Sequence, residues 1–121
     1  MTFKIVLLLI SFFNFPQIKA TKYIEVEMEV TAYCGCEKCC GVNADGITAS
    51  GHKLHQGDKI VAAPKTLRFG TRIFIPGYGL ASVQDRGGAI KNNRLDVYFH
   101  THQEALNWGR QKLIVVQFPE K

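Results

Sequence analysis

Asp85 and Asp96, eleven residues apart, are the side chains whose type and setting are best suited to chemistry. They lie within the stretch QDRGGAIKNNRLDVYF, residues 84–99, which reads as a glycine turn followed by a strand. In an extended chain successive side chains alternate between faces, so Leu95, Val97 and Phe99 share one side and Arg94, Asp96 and Tyr98 the other. The apolar side is expected to be core. The opposite side gathers a carboxylate, a guanidinium and a phenol, a set suited to binding and working on a sugar. Asp85 precedes the Gly87-Gly88 turn and would approach Asp96 if their strands are neighbours. A plainer reading also fits, in which both aspartates cap turns or pair with Arg86 and Arg94.

A second cluster carries sulfur. All four cysteines, Cys34, Cys36, Cys39 and Cys40, fall within seven residues. In an exported protein an even number of cysteines reads first as disulfides. Neighbours such as Cys39 and Cys40 do not bond each other without strain, so the pairs would join Cys34 or Cys36 to Cys39 or Cys40. The alternative is a zinc site built on these thiolates, with His52 or His55 as a further ligand, because zinc favours tetrahedral sulfur and nitrogen.

The elements that must hold these residues are short. From Tyr23 to Tyr33, Ile24, Val26, Met28 and Val30 alternate with Glu25, Glu27 and Glu29, the period of a half-buried strand. Further strands are expected at Lys59–Ala63, Thr71–Ile75, Leu80–Gln84, Arg94–Phe99 and Lys112–Phe118, with turns at Pro76-Gly77 and Gly87-Gly88. Thr101 and Glu104 form a capping-box pattern ahead of Ala105, Leu106 and Trp108, and Gly109 sits where that helix would end. About six short strands and one helix predict a mainly β fold, a small closed barrel.

The 121 residues suffice for one domain, and 46% hydrophobic with 21% charged residues is ordinary globular composition. Residues 1–20 read as an export signal. Lys4 precedes the apolar run Ile5–Phe13, which is too short to span a bilayer, and a small residue, Ala20, ends the segment. No cysteine follows Ala20, so neither a lipid nor a membrane anchor is expected. Without Lys4 and Lys19 the charge is 13 − 10 = +3, far from the basic stripe of a nucleic-acid binder and compatible with an anionic polymer.

Residues 84–99 resemble the signature of the three-aspartate (3D) domain family, close to DTGGAIKGNRIDVYF. Thr31-Ala32-Tyr33 and Ile47-Thr48-Ala49-Ser50-Gly51 resemble the family's TAY and TASG elements, and residues 61–79 resemble its VAVDPxxIPLGT segment. The similarity runs over residues 28–118. It implies a six-stranded double-psi β-barrel in residues 21–121, related to the catalytic barrel of membrane-bound lytic transglycosylase A. The implied activity is cleavage of peptidoglycan between N-acetylmuramic acid and N-acetylglucosamine with a 1,6-anhydro product. By motif position Asp96 matches the catalytic aspartate and Asp85 the supporting one. Arg94, Tyr98, Lys91, Tyr33 and Thr48 are the substrate-binding candidates. The family's first aspartate falls on Ala63, and Arg86 and Asn92 stand where Thr and Gly are usual. The expected partner is the glycan strand of peptidoglycan, met by a monomer in the envelope or medium, with no cofactor. A binding module on the same barrel is the rival reading.

Overall fold

The computed structural model describes residues 22–36, 45–90 and 92–119; the expected export segment, Cys39, Cys40 and Lys91 lie outside them. Six strands and one helix follow in order: β1 (Ile24–Tyr33), β2 (Ile60–Ala62), β3 (Arg72–Ile75), β4 (Gly79–Asp85), β5 (Arg94–Tyr98), α1 (His102–Trp108) and β6 (Gln111–Phe118). The strands close into a barrel in the order β1-β5-β2-β4-β3-β6. Its pairing is mixed: β1 with β5 and β2 with β4 are parallel, and the remaining pairs are antiparallel. The mainly β, six-stranded barrel expected from the sequence is therefore the fold.

Alternation fills the barrel. Val30, Val61, Ile73, Ile75, Val83, Leu95, Val97 and Val115 lose all contact with solvent, one or two from each strand. These β-branched and leucine side chains suit a closed pleated surface, where each packs against its cross-strand neighbours. A second, smaller cluster forms from Tyr33, Ile60, Ala62, Ile90 and Tyr98, with Leu54 against it. On β5 the main core takes Leu95 and Val97 while Tyr98 joins this second cluster.

The strand expected from Tyr23 begins one residue later, and its first apolar position is not core. Ile24 is half exposed. The reason lies in the register: Ile24–Met28 pair with β6 alone, Glu29 and Val30 with both β6 and β5, and Thr31–Tyr33 with β5 alone. Ile24 is the outer end of the stretch that only β6 flanks.

The helix forms as its caps dictate. The Thr101 hydroxyl accepts the Glu104 amide, the Glu104 carboxylate accepts the Thr101 amide, and Gly109 closes the element at φ 70°. Trp108, at its end, donates its indole N–H to the Val30 carbonyl at 3.1 Å and packs against Tyr78 and Phe99. That contact fastens α1 to β1.

Leu95 tests this core. Leu95→Ala should destabilise the domain by about 2–5 kcal/mol, lowering the denaturant midpoint with little change in slope. A loss well under 1 kcal/mol, roughly the scale of a surface change, would contradict its place at the barrel centre.

Candidate active site

β5 carries Asp96 between two strands. On one side its register partner is Thr31 of β1, and on the other it is Ala62 of β2. Ala62 is in turn the partner of Asp85 on β4. The strands of Asp85 and Asp96 are thus not neighbours. β2 runs between them, and with strands about 4.8 Å apart the two aspartates stand about 10 Å from each other along the backbone. The side chain at the position between them is a single methyl. A register shift between Val61 and Ala62 brings Ala62 level with Asp85, as bulges often do beside functional groups.

Asp96 is partly buried, and burial is the main reason its pKa is raised above the ordinary 3.8. The Thr31 hydroxyl and the Arg94 charge oppose the rise, and the like charge of Asp85 adds to it, the smallest of the four influences. Thr31 Oγ1 lies 3.0 Å from Asp96 Oδ1 and 3.2 Å from the Leu95 carbonyl. A hydroxyl has one hydrogen and two lone pairs. It can donate to an ionised Asp96, or donate to the Leu95 carbonyl and accept from a protonated one. Thr31 was not legible as a site residue. The signal was its parity with Tyr33 in Thr31-Ala32-Tyr33, which puts both on the face of β1 that Asp96 shares on β5.

Asp85 is fixed from three directions. Its Oδ2 accepts the Tyr33 hydroxyl at 2.8 Å, and its Oδ1 accepts the Ala49 and Arg86 amides at 2.9 Å each. The Ala49 bond depends on the loop around it. Thr48 is buried and its hydroxyl accepts the His52 amide, while Ser50 donates its hydroxyl to Gln84 Oε1 and its amide to the Gln84 carbonyl. The Thr48-Ala49-Ser50-Gly51 segment is therefore a latch on the end of β4. Its product is one amide aimed at Asp85.

The other candidates are placed as follows. Arg94 sits on the Asp96 face, with its Nε buried and lacking a hydrogen-bond partner among the described residues. Tyr98 and Tyr33 are buried and meet edge to face at 5.8 Å. Burial of both rings leaves neither with an open face for stacking. Tyr78 is buried as well, its hydroxyl bonded to the Tyr98 carbonyl. Ala63 is wholly buried in the main core. Arg86 lies beside it, donating to the Ala63 and Leu67 carbonyls at 3.3 and 2.6 Å and stacking 4.2 Å over Phe69. Among the described residues, His52 and His55 do not join Cys34 and Cys36. Both gather on Asp58, which bonds His52 Nε2 at 2.9 Å and the His55 amide at 2.8 Å, and His52 holds the Asp58 pKa below its ordinary value. The histidine beside Cys34 and Cys36 is His102.

Residues 59–118, which include both aspartates, match the model of the 3D domain. The chain belongs to the 3D domain family. Among curated proteins it is 36% identical over 86 residues to the cell wall-binding protein YocH of Bacillus subtilis, a match spanning 69% of this chain and 29% of that protein. The chain thus spans less than a third of that relative's length. Among solved structures, Streptomyces papain inhibitor shares the fold, with a TM-score of 0.53 over 86% of this chain and all of that one at 16% identity. MltA from E. coli aligns over 59% of this chain and 26% of its own at 24% identity, with a TM-score of 0.48.

The raised pKa of Asp96 has a signed consequence for stability. The folded chain holds this proton more tightly than the unfolded one. The group's contribution is complete below the unfolded value near 3.8 and is lost as pH rises through the higher folded value. Asp96→Asn has no proton to lose. It should melt higher than the native chain near neutral pH, with an advantage that shrinks as pH falls through this window. An Asn variant of lower stability near neutral pH, or an advantage independent of pH, would contradict the burial assigned to Asp96.

Proposed function

We propose that this domain acts on peptidoglycan outside the cytoplasmic membrane. It cleaves the bond between N-acetylmuramic acid and N-acetylglucosamine, with Asp96 as its single acid/base. The observation that carries this reading is a carboxyl whose pKa is raised by burial, on the barrel wall, beside a hydroxyl that can serve either protonation state. The resemblance of residues 84–99 to the family signature supports the assignment, and the name of the cell wall-binding relative supports the substrate class. Residues 1–20 would direct the chain to export.

The chemistry needs one such group. Protonated Asp96 gives its hydrogen to the glycosidic oxygen as the C1–O bond breaks, and positive charge develops at C1. The Asp96 carboxylate then takes the proton of the sugar's own C6 hydroxyl, whose oxygen closes onto C1. The acid is restored and no water is consumed. A hydrolytic glycosidase requires a second carboxylate as nucleophile or base; here the substrate supplies the nucleophile. Asp85, fastened by three donors, serves as an orienting and like-charged neighbour. Thr31 turns toward Asp96 when it is ionised and toward the Leu95 carbonyl when it is not. Arg94 steadies the ionised interval.

A second reading has its own observation. Ala63 leaves a methyl, sealed in the core, where the family's first aspartate would fall, and a domain without that group could bind glycan and not cut it.

Digestion of purified peptidoglycan should release 1,6-anhydro muropeptides, detected by mass spectrometry. Asp96→Asn should lower the rate by about 10²–10⁴-fold, the usual share of general acid–base catalysis, while still sedimenting with peptidoglycan. Asp85→Asn should lose less and chiefly move the acidic limb of the pH profile. Unchanged product from Asp96→Asn would remove Asp96 from its role. A native chain that sediments with peptidoglycan yet releases nothing would establish the binding reading.

A further inference from the structure

The side chains beyond the end of β1 form a cluster that the glycan chemistry does not use. Cys34 and Cys36 are separated by one glycine just past Tyr33, where the strand ends and the chain bends. Their sulfurs are 2.8 Å apart. His102, the first residue of α1, brings Nδ1 to 3.6 Å from the sulfur of Cys34 and 3.6 Å from that of Cys36. Cys34 is buried and the other two are half-buried.

We propose that Cys34, Cys36 and His102 form a metal site, with zinc as the ion their chemistry fits best. Two thiolates and an imidazole are a borderline-soft donor set, the kind that selects zinc over oxygen-seeking cations. Zinc bonds of about 2.3 Å to sulfur and about 2.0–2.1 Å to nitrogen set a tetrahedral sulfur–nitrogen edge of about 3.6 Å. Both sulfur–nitrogen separations here have that value. The three donor atoms all lie within 4.8 Å of one another, close enough for one ion to reach each of them. The sulfurs would spread by about 1 Å to reach a tetrahedral edge of about 3.8 Å.

Such an ion ties the end of β1 to the start of α1, positions 66 and 68 residues apart in the chain. The tie lies next to Tyr33, whose hydroxyl holds Asp85. It braces the site from outside and takes no part in the reaction. A barrel of this size buries a small core, and small domains commonly add a metal or a disulfide to it.

The test uses the purified chain, one portion kept reduced for metal binding with zinc and then cobalt as probes and one prepared without reductant for thiol titration. One zinc per chain is expected by elemental analysis. Cobalt in its place should give visible bands of tetrahedral intensity and a thiolate charge-transfer band in the near ultraviolet. His102→Gln should weaken cobalt binding by at least about a hundredfold, beyond what merely orienting groups contribute, and Cys36→Ser should diminish the charge-transfer band. A chelator should lower the melting temperature of the native chain and leave that of His102→Gln unmoved. If Cys36→Ser fails to fold, the half-buried His102 position decides the matter alone. No bound metal together with cysteines that resist thiol reagents until reduced would overturn the proposal in favour of disulfides. Cobalt binding that His102→Gln leaves unchanged would overturn it as well.

Discussion

The parallel pairing of β1 with β5 is the constraint on which the rest depends. It sets Thr31 opposite Asp96 and Tyr33 opposite Tyr98, so one strand supplies the hydroxyl that meets Asp96 and the phenol that holds Asp85. Parallel partners cannot be joined by a tight turn, and here sixty residues, 34–93, intervene. The intervening chain contains β2, β3 and β4, and it returns Asp85 to within reach of β1. A slip of one residue in that register would turn Asp96 into the core and Leu95 out to solvent. The full burial of Val30, Leu95 and Val97 holds the register against it.

The same arrangement sets stability against chemistry at one residue. A carboxyl on the barrel wall could be left in water, where it would ionise near its ordinary value and be useless as an acid near neutrality. Burial raises its pKa instead, and that cost is borne by the fold at neutral pH. The surrounding residues limit it. Thr31 and Arg94 offset part of the rise, and Ala62 adds no bulk between the two aspartates. Arg86 belongs to another balance. It holds the turn after β2 through two carbonyls and Phe69, next to the alanine that stands where the family has its first aspartate.

Much of this was legible in the sequence because alternation fixes which side of a strand a residue takes. The faces of β5, the capping box of Thr101 and Glu104, and all six strand positions to within a residue at each end follow from local rules. What alternation does not fix is which strand lies next to which. The approach of Asp85 to Asp96 depended on their strands being neighbours, and β2 runs between them, leaving only the influence of like charge. The exposure of Ile24 has the same origin, since only β6 flanks that end of β1. His102 was hidden for a further reason: it lies 66 residues from Cys36, and only the docking of α1 on β1 through Trp108 brings it near. His52 and His55, closer in sequence, serve Asp58 instead.

The central claim is that the barrel wall keeps the Asp96 carboxyl protonated further toward neutrality than an ordinary aspartate. Carbon-13 NMR of the side-chain carboxyls, followed through an acid-to-neutral titration, reads this at the residue itself, with Asp96→Asn identifying the signal. The account predicts a midpoint for Asp96 above the ordinary 3.8, falling when Asp85 is replaced by Asn and rising when Thr31 is replaced by Val. A midpoint at or below the ordinary value in the native chain would contradict it.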